Sequence, residues 1–107
     1  MERMRRLITE FPQQLENAWK IVSDSTIDFQ GFEPSNVVVL GMGGSGISGA
    51  IASRMLASTA GMPIAANSDY VIPAYVGPQT LVIACSYSGA TEETLAALDQ
   101  AIARGAR

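Results

Sequence analysis

At 107 residues, 48% hydrophobic and 16% charged, the chain has room for one small domain and the composition of a globular protein rather than a disordered one. A net charge of −3, with no basic run longer than Arg5-Arg6, argues against a nucleic-acid partner, which needs a concentrated Lys/Arg face. The absence of histidine and the single cysteine, Cys85, exclude an internal disulfide, a zinc-ligand set and any mechanism that takes an imidazole from this chain.

The first predicted element is a helix over residues 2 to 22. Met4, Leu7, Ile8, Phe11, Leu15, Ala18, Trp19 and Val22 recur at spacings of three and four, which puts them on one face. Trp19 is expected in the core. Pro12 cannot donate to the preceding turn, so a kink or a restarted helix is expected there. Residues 23 to 36 are turn-rich. Arg3, Arg5 and Arg6 read as a solvated helix face. No h-region follows the basic start and no apolar run approaches the ~20 residues of a membrane span. A cytoplasmic location without a membrane partner is the expectation, and the lone thiol fits a reducing compartment.

Val37-Val38-Val39-Leu40 is a short β-branched run ending at Gly41, the pattern of a strand covered on both faces. Residues 47 to 59 read as a helix, with Ile47, Ala50, Ile51, Met55 and Leu56 facing the sheet. Pro63 to Ala66 is a weaker strand and Tyr70 to Pro78 a loop. Thr80 to Cys85 is a second clear strand and Thr91 to Arg104 a second clear helix, closed by Gly105. The alternation predicts an α/β fold with a parallel sheet flanked by helices, preceded by an N-terminal helix. Cys85 reads as a small core residue. Since a further strand is due where the sequence stops, a piece of a longer protein is expected, with 1–30 a helical segment and 31–107 an incomplete domain.

Two segments share one plan: apolar strand, Ser/Gly loop, helix. In the first, Gly41-Met42-Gly43-Gly44-Ser45-Gly46, glycines let the backbone approach a ligand, and the following helix offers unpaired N–H groups to an anion. The same string fits G-x-G-x-x-G, so a dinucleotide is an alternative, with Asn67 and Asp69 near the place of the ribose-binding acid. The second, Ser86-Tyr87-Ser88-Gly89-Ala90-Thr91, offers three hydroxyls before a helix, more than one N-cap requires. Neither loop has the Gly-Lys-Ser/Thr ending of a nucleotide P-loop. Both lie at strand carboxyl ends, where open α/β sheets bind ligands, and together they point to a sugar phosphate.

The stretches Val37 to Gly46 and Thr80 to Gly89, with Asp69 to Val76 and Phe11 to Leu15, resemble the sugar isomerase (SIS) domain, and within it the bifunctional phosphoglucose/phosphomannose isomerases. The resemblance runs from about Phe11 to the end of the chain. It implies a partial SIS-type three-layer sandwich from a homodimeric aldose–ketose isomerase that uses no metal or cofactor and interconverts glucose 6-phosphate or mannose 6-phosphate with fructose 6-phosphate. It further implies that Ser86, Ser88 and Thr91 hold the phosphate while Gly43, Gly44 and Ser45 contact the sugar. Ala90 departs from the asparagine usual in the family. The family's glutamate base, histidine, lysine and arginine match no position here, so no catalytic residue is assigned and the chain alone is expected to bind rather than catalyse. A non-catalytic SIS module that senses a phosphosugar is a further alternative.

Overall fold

The computed structural model describes residues 1–107, which form two compact units, Met1–Gly31 and Phe32–Arg107. The first is one helix, α1 (Glu2–Asp24), with an extended tail. Pro12 sits inside it without ending it. Side chains one turn apart brace the surface, Arg6 pairing with Glu10 at 3.0 Å and Gln13 donating to Asn17 at 3.1 Å. Trp19 is 76% exposed, and no residue of α1 is buried. The expected core position for Trp19 is thus corrected. Periodicity gathers apolar residues on one face, but a lone helix with an extended tail supplies no second layer to cover it.

The second unit is built on a parallel sheet of β1 (Asn36–Leu40), β2 (Ile64–Asn67) and β3 (Thr80–Ala84) in the order β2-β1-β3. Val38 pairs with Ala65 on one side and Val82 on the other, and Leu40 with Asn67 and Ala84. The central strand carries three buried residues, Val38, Val39 and Leu40, and β3 adds Thr80. Alternation sends Val38 and Leu40 to one face and Val39 to the other.

Helix α2 (Gly43–Met55) covers the Val39 face and α3 (Glu92–Ala103) the other. The result is three layers, a parallel sheet between helices, as expected. The face of α2 is not as expected. Its contact with the sheet runs through Gly49, where an added Cβ would lie 2.9 Å from the Val39 Cβ. Ile47, Ile51 and Leu56 are exposed, and Met55 is 73% exposed. The small residues draw the helix axis close to the strands, and the larger ones then point outwards. Helix α2 also starts at Gly43, four residues before the expected point, because the glycine run is itself the first turn.

On the opposite face Val38 and Leu40 pack with Ala97 and Ala101 of α3, and with Ile72 and Val76. The last two belong to the segment between β2 and β3, which has no regular structure yet delivers two core side chains. This strap is fixed to α3 by polar bonds: Gln100 Nε2 donates to the Tyr70 carbonyl, and Arg104 Nη1 to that of Pro73 at 2.7 Å. Ile72 is 3% exposed and Val71 points to solvent. Ile72→Val is therefore expected to lower unfolding free energy by about 1 kcal/mol, whereas Val71→Ala should stay within ~0.5 kcal/mol. Urea denaturation of the two variants would measure the difference.

After α3 the chain turns at Gly105 and returns to the open edge of β3. There Arg107 N donates to the Thr80 carbonyl at 3.1 Å, and Val82 N to the Arg107 carbonyl at 2.6 Å. This is parallel-type pairing along the edge strand.

Candidate functional site

The two Ser/Gly loops leave adjacent strands in register. Leu40 and Ala84 are paired, and Cys85 N donates to the Leu40 carbonyl at 2.8 Å, so both loops begin side by side. Cys85 itself is half-buried and one residue past the strand rather than in the core. Strand order reverses at this point: α2 carries the chain from β1 to β2, while β3 lies on the other flank and its helix covers the other face. A crevice between two helix N-termini at a topological switch point is where open α/β sheets bind ligands.

Loop one turns tightly enough that the strand end and the helix touch. A Cβ on Gly46 would stand 2.7 Å from the Gly41 carbonyl oxygen and 3.0 Å from Ser68 Oγ, so only glycine fits. Gly43 and Gly44 face open space instead. Met42 is the N-cap and makes no side-chain capping bond. Gly46 N donates to the Met42 carbonyl at 3.2 Å, closing the first helical turn, while the amides of Gly43, Gly44 and Ser45 precede that bond. Ser45 is half-buried in this turn.

Loop two is organised by its own hydroxyls. Ser86 Oγ accepts from Gly89 N at 3.0 Å and lies 3.0 Å from Thr91 Oγ1. Ser88 Oγ accepts from Ala90 N at 3.1 Å. Gly89 takes φ +72°, the left-handed conformation that lets the loop fold back on Ser86. Thr91 is the N-cap of α3, yet its side chain makes no capping bond; it is turned to Ser86. An ordinary capping role therefore does not account for these hydroxyls. The structure pairs Ser86 with Thr91 just before the uncapped start of α3, with Ser88 between them in the same loop, and brings Gly43, Gly44 and Ser45 to the uncapped start of α2 after the neighbouring strand. A phosphate has hydroxyls and helix-end amides available there, with no lysine or arginine required. Tyr87 projects fully into solvent between the two serines, and Thr94, in the first turn of α3, is 4% exposed with an unpartnered hydroxyl.

Sequence reasoning missed the strap's part in this region. The Tyr70 hydroxyl donates to Glu92 Oε2 at 3.3 Å, at the first residue of α3, and Asp69 Oδ1 accepts from Tyr70 N at 2.6 Å. Shielding of the phenol, and then the charges of Glu93 and Glu92, hold its pKa above the ordinary tyrosine value, so it stays a proton donor at neutral pH. Ile72 and Val76 placed among prolines were the available signal that the segment is anchored. The Asp69 carboxylate, one of two positions considered for a ribose-binding acid, is engaged with its own loop.

A profile of the SIS domain family matches residues 32–107, and the chain belongs to that family. It is 40% identical over 100 residues to the bifunctional phosphoglucose/phosphomannose isomerase of Caldicellulosiruptor bescii, covering 94% of this chain and 30% of that protein. The protein of the same name from Thermoplasma acidophilum is 51% identical over 73 residues, 68% of this chain and 23% of its own length. A third, from Aquifex aeolicus, is 37% identical over 106 residues, 98% of this chain and 31% of its own. The chain thus spans less than a third of the length of these curated relatives. No solved structure matches it significantly. No helix is long and apolar enough to cross a membrane.

Proposed function

We propose that the chain binds a sugar phosphate, as the substrate-holding part of an aldose–ketose isomerase that interconverts glucose 6-phosphate or mannose 6-phosphate with fructose 6-phosphate. The observation that carries this reading is the hydroxyl pair of loop two, in which Thr91 is turned away from capping and towards Ser86. In this reading Ser86, Ser88 and Thr91 hold the phosphate, and Gly43, Gly44 and Ser45 on the adjacent strand end contact the sugar. The names of the curated relatives support the substrate class, and the whole enzyme would act as a cytoplasmic homodimer without a metal or cofactor.

Holding the substrate is separate from converting it. Moving a proton between C1 and C2 needs a base poised near neutrality, an acid to open the ring and a cation for the enediolate. The chain has no histidine. Of its two carboxylates beside the loop, Glu92 and Glu93, the first is tied to Tyr70. The 107-residue chain should therefore bind fructose 6-phosphate without isomerising it. Calorimetric titration with fructose 6-phosphate, and separately with NAD, tests this. Binding of the sugar phosphate supports the reading, and binding of NAD alone would return the glycine loop to the dinucleotide class.

A further inference from the structure

Two carboxylates, Glu92 and Glu93, occupy the first turn of α3, beside the loop assigned to phosphate. A first-turn carboxylate is drawn to the positive end of its own helix and to the free amides there. Those amides are the ones a bound phosphate would use, so an unrestrained glutamate at this place competes with the ligand and also repels it. The structure shows a restraint on one of them. Tyr70 donates its hydroxyl to Glu92 Oε2 at 3.3 Å, and the tyrosine's backbone is held at two points, with a third on the strap beyond it. Its carbonyl accepts from Gln100, two turns further along α3, its amide donates to Asp69, and the strap beyond it is pinned through Pro73 to Arg104. Ile72, two residues on, is locked in the core. The phenol that holds Glu92 thus belongs to a residue whose backbone is anchored at Gln100, eight residues further along α3. Glu93 lies near enough for its charge to act on the same hydroxyl, which retains its proton and remains a donor.

We propose that Tyr70 is a positioning residue for the phosphate loop: it draws the Glu92 carboxylate back along α3 and keeps it off the amides that receive the anion. The proposal rests on the assignment of Ser86 to Thr91 as the phosphate site. It makes the strap between β2 and β3, and not only the two Ser/Gly loops, a determinant of affinity.

A double-mutant cycle tests it on the full chain, with wild type, Tyr70→Phe, Glu92→Gln and the double variant each titrated with fructose 6-phosphate and with inorganic phosphate. Tyr70→Phe removes one hydroxyl from a half-exposed ring and is expected to weaken both ligands by about two- to ten-fold, the range to which the net worth of one hydrogen bond converts. Glu92→Gln should bind at least as tightly as wild type, and adding Tyr70→Phe to it should change nothing further. The inference alone is overturned if wild type binds and Tyr70→Phe binds equally well. It is also overturned if the loss persists undiminished in the Glu92→Gln background, which would mark a purely structural role, or if Glu92→Gln itself weakens binding. Failure of wild type to bind either ligand overturns the phosphate-site assignment, and this inference with it.

Discussion

Replacing Ser86, Ser88 and Thr91 together by alanine is expected to weaken fructose 6-phosphate binding by about a thousand-fold or more, while the chain stays folded. A hydrogen bond to a charged group contributes roughly 1.5–3 kcal/mol, so three of them set a loss on the order of 5 kcal/mol. The single variants will not add up to that. Ser86 and Thr91 share a 3.0 Å contact, so removing either also changes the other, and their losses should overlap. Ser88 is bonded only to Ala90 N, and Ser88→Ala should stand alone at about ten-fold. Affinity for unphosphorylated fructose, weak in all variants, should not follow the same order. Calorimetry supplies the affinities, and circular dichroism melts would separate a lost contact from a lost fold.

The second large effect falls on stability. Gly46→Val is expected to destabilise the Phe32–Arg107 unit by ~3 kcal/mol or more, because its first side-chain carbon alone would sit 2.7 Å from the Gly41 carbonyl oxygen. Neither partner can yield: one is the end of the central strand and the other the first turn of α2. Gly44, two residues earlier, has open space where its Cβ would go. Gly44→Ala should therefore leave stability unchanged or raise it slightly through helix propensity. Thermal or urea unfolding of the pair would show whether loop one is constrained by contact at Gly46, or whether glycine is merely tolerated along its whole length.

The strands were legible because apolar, β-branched residues run together in Val37 to Leu40 and Thr80 to Ala84, although only β1 is well covered and Ile83 of β3 is exposed. The loops were legible because Ser and Gly at the mouth of such a strand have few structural uses. What periodicity could not show is which side of a helix meets the sheet. In α2 the residues that approach the strands are the small ones, Gly49 above all, so the stripe of Ile47, Ile51 and Met55 pointed to the wrong face. Trp19 misled for a related reason, since an apolar face states a preference and not a partner. The strap was read as loop on account of its prolines and glycine. Its backbone does lack regular pairing, but Ile72 and Val76 hold it in the core, and Tyr70 gains its position from bonds to α3 that lie 22 and 30 residues away in sequence. Contacts at that separation leave no local pattern.

The division of labour at the site also sharpens. Loop one derives its shape from contact between Gly41 and Gly46, and its first-turn amides are left uncapped. In loop two Ser86 and Ser88 accept from the loop's own amides and one proton is spent between Ser86 and Thr91, which leaves the Ser88 proton and one of that pair's to donate outward. An acidic chain can in this way present donors to an anion without a basic side chain.

The most direct test of that account is amide chemical-shift mapping of the ¹⁵N-labelled chain during titration with fructose 6-phosphate. The largest shifts are predicted at Ser86 to Thr91 and the first turn of α3, with smaller ones at Gly43 to Ser45, and inorganic phosphate should reproduce only the first set. Shifts confined to Gly41 to Gly46 on adding NAD, with Ser86 to Thr91 unmoved by either phosphate ligand, would contradict it.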